Sequence, residues 1–438
     1  MADSPASRPG ASRHFRIIGA LMLVATVAFV VTRLDSFKAK LSDMAAVTEG
    51  RDAAANLTSP DSLLAYILRH PEQASLVVFD TDAPDNGLFV GAEVERPVTG
   101  LPTLLLATAY ATDVAEGRLD PDDVVPYAGD WAATVEAEQV DLGGQRLLPA
   151  SLGAFALPAI EGDRHLATLA RMGLADTLVA QEGGGRPQDV IDVQMRMPVQ
   201  RVVEAAARFS DRPSADYLTL LLDRRAVADL ARDNDLAPPV PTSGLYLAWT
   251  PTHRGATAQE RLDGFLALSS SQQADTAFAV AERLREDEPY GARERERLRF
   301  ESLGMTVEQQ RDAARASFPQ GTAKAYANLL AAVATGALVS DTVSAAVHQT
   351  LGNPVELFAS VVPDAEVKGK AGGFTGLYSI GAYARRPDGT ARVAVLLMQD
   401  LPTAVFIETG RQALDQGLVA ILLGSDAFFE QARERAAG

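Results

Sequence analysis

The sequence predicts an α/β fold of the α+β kind: an antiparallel sheet of about five strands built from both chain ends and flanked by helices, an all-helical lobe, and one N-terminal transmembrane helix. Three observations predict it. Within residues 75–94 the apolar runs SLVVFD and GLFVGAEV flank a turn rich in Asp, Pro and Asn, the pattern of a β-hairpin. Near the other end, GLYSIGAYARR and ARVAVLLMQD flank the turn tripeptide Pro387-Asp388-Gly389 and make a second hairpin. The patterns between them are helical, so one sheet that takes strands from both ends explains the order of elements.

The segment Ile17 to Thr32 is apolar apart from Thr26 and its terminal threonine and is bracketed by Arg16 and Arg33. It is shorter than the roughly 20 residues a bilayer span takes, but terminal arginines snorkel and extend its reach. A cleaved signal peptide has a hydrophobic region of the same length, yet VTRLDSFKAK follows without a small-x-small cleavage site. Residues 17–34 therefore read as an uncleaved signal anchor, with a cleaved signal as the rival reading. Residues 1–16, with Arg8, Arg13 and Arg16, form a cytoplasmic tail, although Arg33, Lys38 and Lys40 blunt that charge bias. A polar juxtamembrane linker, 35–60, leads into a domain, 61–438, expected to be extracytoplasmic.

That domain opens with a helix at Ser62–Arg69, followed by the first hairpin. The stretch ERPVTGLPTLLLATAYAT, residues 95–112, then reads as a loop entering a nearly all-apolar helix, with Thr99 as N-cap, Pro102 in the first turn and Gly117 at C′. Its leucines and alanines cover most of the circumference, so this helix is enclosed. Residues 120–195 are mixed, with a Gly-rich break at Gly183 to Gly185. Two helices follow, VQRVVEAAARFS and SADYLTLLLDRRAVADLARDNDL, joined at Asp211 to Pro213. Pro238 to Pro241 is a rigid break. Residues 256–316, within an insertion of about 240–320, are helical, and their run REDEPYGARERERLRFE is a solvated charged face. An amphipathic helix at Thr322–Thr335 closes at Gly336, and a last helix runs from Ala404 to Arg433.

With 438 residues, 47% of them hydrophobic and 22% charged, the chain can bury a sizeable core. It has no cysteine, which excludes disulfides, thiolate metal sites and cysteine nucleophiles. The net charge of −17 repels phosphate backbones and sets nucleic acid aside. The five histidines, His14, His70, His165, His253 and His348, are isolated in sequence, and neither Gly-x-Ser-x-Gly nor a phosphate-binding loop is present. No metal and no cofactor is expected.

Four stretches occur in an informative order: the 95–112 helix with its acidic turn, RFSDRPSADYLTLLL, FPQGTAKAYANLLAAVATGALVS, and VKGKAGGFTGLYSIGAYARRPDGTARVAVLLMQ. Together they resemble the serine β-lactamase and penicillin-binding-protein superfamily, class A β-lactamases most closely, over roughly residues 60–435. The resemblance implies a Ser-x-x-Lys motif opening the central helix, where a lysine three residues on takes the serine proton. In that register Pro97 stands for the serine and Gly100 for the lysine. The residues three before the five lysines are Asp35, Phe37, Gly321, Ala365 and Val367, so no Ser-x-x-Lys or Thr-x-x-Lys exists in the chain. Thr99 is a hydroxyl nearby with no base one turn away.

The second motif, Ser-Asp-Asn, becomes Ser210-Asp211-Arg212. The resemblance makes Ser210 a cleft-facing proton relay, while Arg212 replaces an amide and could clamp a carboxylate. The alternative is that Ser210-Asp211 is merely a helix-capping turn. The third motif becomes Lys370-Ala371-Gly372 on a strand walling the cleft, with Lys370 supplying charge for a substrate carboxylate and Ala371 lacking the hydroxyl of that motif. The deacylating glutamate has no clear counterpart, and Glu260 is only a nominal one. The first expectation is thus an inactive β-lactamase-like domain whose cleft binds a cell-envelope protein or a peptidoglycan-like ligand. A second is a serine hydrolase with Ser210 as nucleophile beside Lys370. A third is a structural envelope protein that docks a partner through 256–316.

Overall fold

The computed structural model describes residues 48–128, 141, 142, 145, 146, 194–249, 258–287, 289–291, 293, 294, 305–363 and 365–437. The N-terminal anchor, the Gly-rich break and most of the charged run lie outside the described residues. Among the described residues no helix is long and apolar enough to cross a membrane.

Five antiparallel strands form one sheet in the order Leu88–Val90, Ala74–Asp80, Ala391–Met398, Leu377–Arg385, Glu366–Phe374. Both sequence hairpins are present. The first-made long strand pairs with the last, Ala74 opposite Met398 through Asp80 opposite Arg392, as a sheet drawn from both chain ends requires. Alternation along these strands feeds two cores. Val77, Phe79, Val393 and Val395 face helices Thr103–Ala115, Val199–Arg208 and Ala323–Thr335. Leu76, Val78, Leu396 and Met398 face helices Pro60–Arg69 and Leu414–Gly424. A third core, Leu245, Trp249, Phe265, Ala281 and Phe318, belongs to the helical lobe and reaches the sheet through Phe374 and Leu377. Phe374 packs on Phe318 at 5.1 Å and on Tyr246 at 5.7 Å between ring centroids, fixing the lobe to the end of the edge strand.

The two ends of the domain lie together. Ala404 donates to the Glu49 carbonyl at 3.1 Å, Gln412 Nε2 to the Leu57 carbonyl at 2.9 Å, and Arg435 pairs with Asp61 at 2.5 Å.

Three boundaries differ from the sequence reading. The expected 214–236 helix is two, Arg212–Leu221 and Arg224–Asp233, because Leu222 is extended and Asp223 caps a new start by accepting from the Ala226 N–H at 2.9 Å. The expected 404–433 helix is three, Thr403–Arg411, Leu414–Gly424 and Asp426–Ala437. Its first break is at Ala413, whose φ of 50° is left-handed. The central helix runs Thr103–Ala115 with Pro102 as N-cap and no capping side chain, so Thr99 is not its cap. Gly117, at φ 70°, does close it. Every residue from Thr103 to Ala111 is buried, as an apolar circumference demands.

Candidate functional site

Strand Glu366–Phe374 is the sheet edge nearest the helical lobe, and Lys370 on it is 3% exposed. Its Nζ donates to the carbonyls of Ala206 at 2.5 Å and Ala207 at 3.2 Å, and to Ser210 Oγ at 2.8 Å. Three ammonium N–H groups thus meet three acceptors. The two carbonyls belong to the last turn of helix Val199–Arg208, where carbonyls lack helical partners and a cation is favoured. Lys370 was expected to offer its charge to a substrate carboxylate; instead the protein engages all of it. Burial pushes its amine down to about 7, the nearby Asp211 carboxylate opposing the shift and Arg212 adding to it.

Ser210 takes a left-handed φ of 58°, which lets the chain leave one helix and enter the next within a few residues. Asp211, 5% exposed, caps helix Arg212–Leu221: its Oδ2 accepts from the Ser214 N–H at 3.1 Å and from the Ser214 hydroxyl at 2.6 Å. The capping reading is therefore right for Asp211, while Ser210 is exposed and turned to Lys370. Arg212 Nη2 donates to the Gly373 carbonyl at 3.1 Å, tying the turn to the edge strand.

The mouth of the central helix closes the opposite wall. Pro97 is buried in a two-residue strand, pairing with Gln320, and does not line the cavity. The first position of the sequence register therefore does not reach the cavity, because the loop 98–102 separates that strand from the helix. Gly100, at φ 73°, packs directly on the edge strand: a Cβ there would stand 2.6 Å from the Ala371 carbonyl oxygen and 2.9 Å from Gly372 Cα. A Cβ on Gly372 would likewise stand 2.6 Å from the Thr99 carbonyl oxygen. Only glycines allow the two backbones to meet so closely. The cavity-lining residues of this segment are Val98, Thr99, Gly100, Pro102, Thr103 and Leu106, and none of them carries an amine. Thr99 Oγ1 is buried without a hydrogen-bond partner among the described residues, and its N–H donates to Ser379 Oγ at 3.2 Å.

These walls enclose a cavity of about 320 Å³ that brings Gly100, Ser210, Asp211, Arg212, Lys370, Ala371 and Gly372 together. Its lining also takes in Val240, Leu245, Tyr246 and Phe318. Glu260 is exposed on helix Ala258–Leu266 and does not line it. The carboxylate in that part of the chain that does is Asp216, which the sequence reading missed. Asp216 is 2% exposed and accepts from the N–H groups of Thr242 and Ser243, each at 2.7 Å. Burial raises its pKa to about 6, against the pull of those donors and of Arg212.

No protein-family model matches the chain, and no curated protein matches it. Among solved structures it is similar to the β-lactamase from Sphaerobacter thermophilus DSM 20745, with a TM-score of 0.45 and 13% identity over 82% of this chain and 95% of that one. It is similar to a β-lactamase from Chitinophaga pinensis DSM 2588, with a TM-score of 0.44 and 11% identity over 82% of this chain and 98% of that one. A mutant class A β-lactamase of the last common ancestor of Gram-negative bacteria gives a TM-score of 0.43 and 14% identity over 81% and 97%. At that identity and superposition, no residue role passes from those proteins to this one.

Proposed function

We propose that the chain is a membrane-anchored, extracytoplasmic β-lactamase-like domain without acyl-enzyme chemistry at its helix mouth, and that its cavity binds a ligand of the bacterial cell envelope. One observation carries the reading. At the helix mouth Gly100 lies against the backbone of Ala371 and Gly372, so that position has no side chain and no space for one, and no cavity-lining residue between Val98 and Leu106 carries an amine. What remains is a cavity lined by both polar and apolar side chains, Arg212 and Asp216 among the first and Leu245, Tyr246 and Phe318 among the second, a lining of the kind that binds small molecules. Peptidoglycan-like fragments, which carry carboxylates and amides, suit that lining, and a cell-envelope protein presenting such a group is the other partner of this kind.

The test uses the full chain purified in detergent. A chromogenic cephalosporin should be hydrolysed no faster than in buffer, and soluble peptidoglycan fragments should give a saturable calorimetric signal that Arg212→Ala weakens. Turnover of the cephalosporin, or an adduct mapped to residues 97–103, would sink the proposal.

A further inference from the structure

The cavity's other wall holds a hydroxyl next to a buried amine. We infer that Ser210 Oγ is an acylation site activated by Lys370, a second nucleophile unrelated to the helix mouth. This goes beyond the binding proposal and does not depend on it. Four observations carry it. Ser210 Oγ and Lys370 Nζ stand 2.8 Å apart, within the reach a nucleophile and its base need. Ser210 is exposed at the cavity while Lys370 is 3% exposed, so the oxygen is open to an incoming group and the amine is shielded from bulk water. The Ala206 and Ala207 carbonyls fix the amine's orientation. In its neutral form, Lys370 has two N–H groups for those two carbonyls, and its lone pair is then directed at Ser210 Oγ, whose O–H becomes the donor. Finally, Ser210 is held at φ 58°, a left-handed conformation that costs a non-glycine residue energy and recurs at reactive sites.

The step balances without a further reactant. Ser210 Oγ attacks the carbonyl carbon of an ester, its proton passes to Lys370 Nζ, and the tetrahedral intermediate collapses. The bond to the leaving alkoxide breaks, and that alkoxide leaves as the alcohol with the proton from Lys370. The product is an acyl ester on Ser210. The charged groups facing the amine are Asp211, which favours its protonation, and Arg212, which opposes it; burial, with Arg212 adding to it, outweighs Asp211 and places its titration near neutrality.

The probe is a short-chain alkyl fluorophosphonate, in which Ser210 displaces fluoride from phosphorus. Incubated with the full chain in detergent at pH 8.5, it should leave one adduct that peptide mass spectrometry maps to Ser210. The labelling rate should fall roughly tenfold by pH 6, as an amine titrating at about 7 becomes protonated. Ser210→Ala should abolish the adduct. Lys370→Met should slow labelling at pH 8.5 and flatten the pH profile, which a lysine serving only to cap a helix would not do. If that variant fails to fold, the pH profile of the wild-type chain decides. No adduct on Ser210, a rate independent of pH between 6 and 8.5, or equal labelling in a folded Lys370→Met protein would each overturn the inference. Cephalosporin turnover bears on the binding proposal and not on this result.

Discussion

At Gly100 a single hydrogen atom decides the shape of the cavity. The residue sits at φ 73° with the Ala371 carbonyl where a side chain would begin. Gly100→Ala should therefore cost about 1–3 kcal/mol from backbone strain alone, and more once the edge strand is displaced. Chemical denaturation checks this, with a loss under about 0.5 kcal/mol as the contrary result. The same residues show what a one-dimensional reading can find. Ser210, Asp211, Lys370 and Gly372 were legible because each sits in a short chemical pattern next to an identifiable element. Asp216 was not, since its importance comes from two N–H groups that lie far along the chain and meet it only after folding. Pro97 was misread for a related reason: the pattern gave a spacing, and the five-residue loop between strand and helix absorbed it.

Many helices among the described residues start where a side chain takes up a free N–H group, although Thr103–Ala115 and Val199–Arg208 start without one. Asp211, Asp223, Ser269, Thr306, Thr322 and Ser340 each accept from the backbone three residues on. The break at Leu222 follows this pattern, because Asp223 offers a new cap. Sequence periodicity alone ran on through it. Helix Thr242–Trp249 is capped from outside, by Asp216. Asp216→Ala should orphan the Thr242 and Ser243 N–H groups, each costing about 1–3 kcal/mol if left buried. It should also loosen the apolar lining of the cavity. Hydrogen exchange at those two amides, faster in the variant, is the measurement; unchanged protection would show that the helix holds itself. The Lys370 amine performs the matching role at a helix C-terminus, which is why a position expected to face a ligand faces the protein.

The molecule as a whole is closed by its last strand. Ala74–Asp80 is sandwiched between the short Leu88–Val90 strand and Ala391–Met398, with seven register pairs on the latter side. A chain ending at Arg386 should lose that partner along with the helices that cover the sheet. Such a chain should show no cooperative thermal transition by circular dichroism, whereas retention of one would mean that the sheet tolerates the loss. The five-strand sheet, its order from both ends and the helical lobe were legible, because two hairpins with clear turns anchored the extremes of the chain. The register between them was not, since contacts so distant in sequence leave no local periodicity.

The pairing of Ala74 with Met398 sets a schedule for biogenesis. During synthesis the apolar strand ASLVVFD is made first and finds its mate only after the whole stretch between the two strands has followed. Until then the chain carries an adhesive edge uncovered, a hazard that slow, long-range pairing brings. Lys370 reaches the Ser210 turn only from the sheet that this late pairing completes. The Lys370–Ser210 contact is therefore among the last to assemble, after the sheet's most distant strands have met.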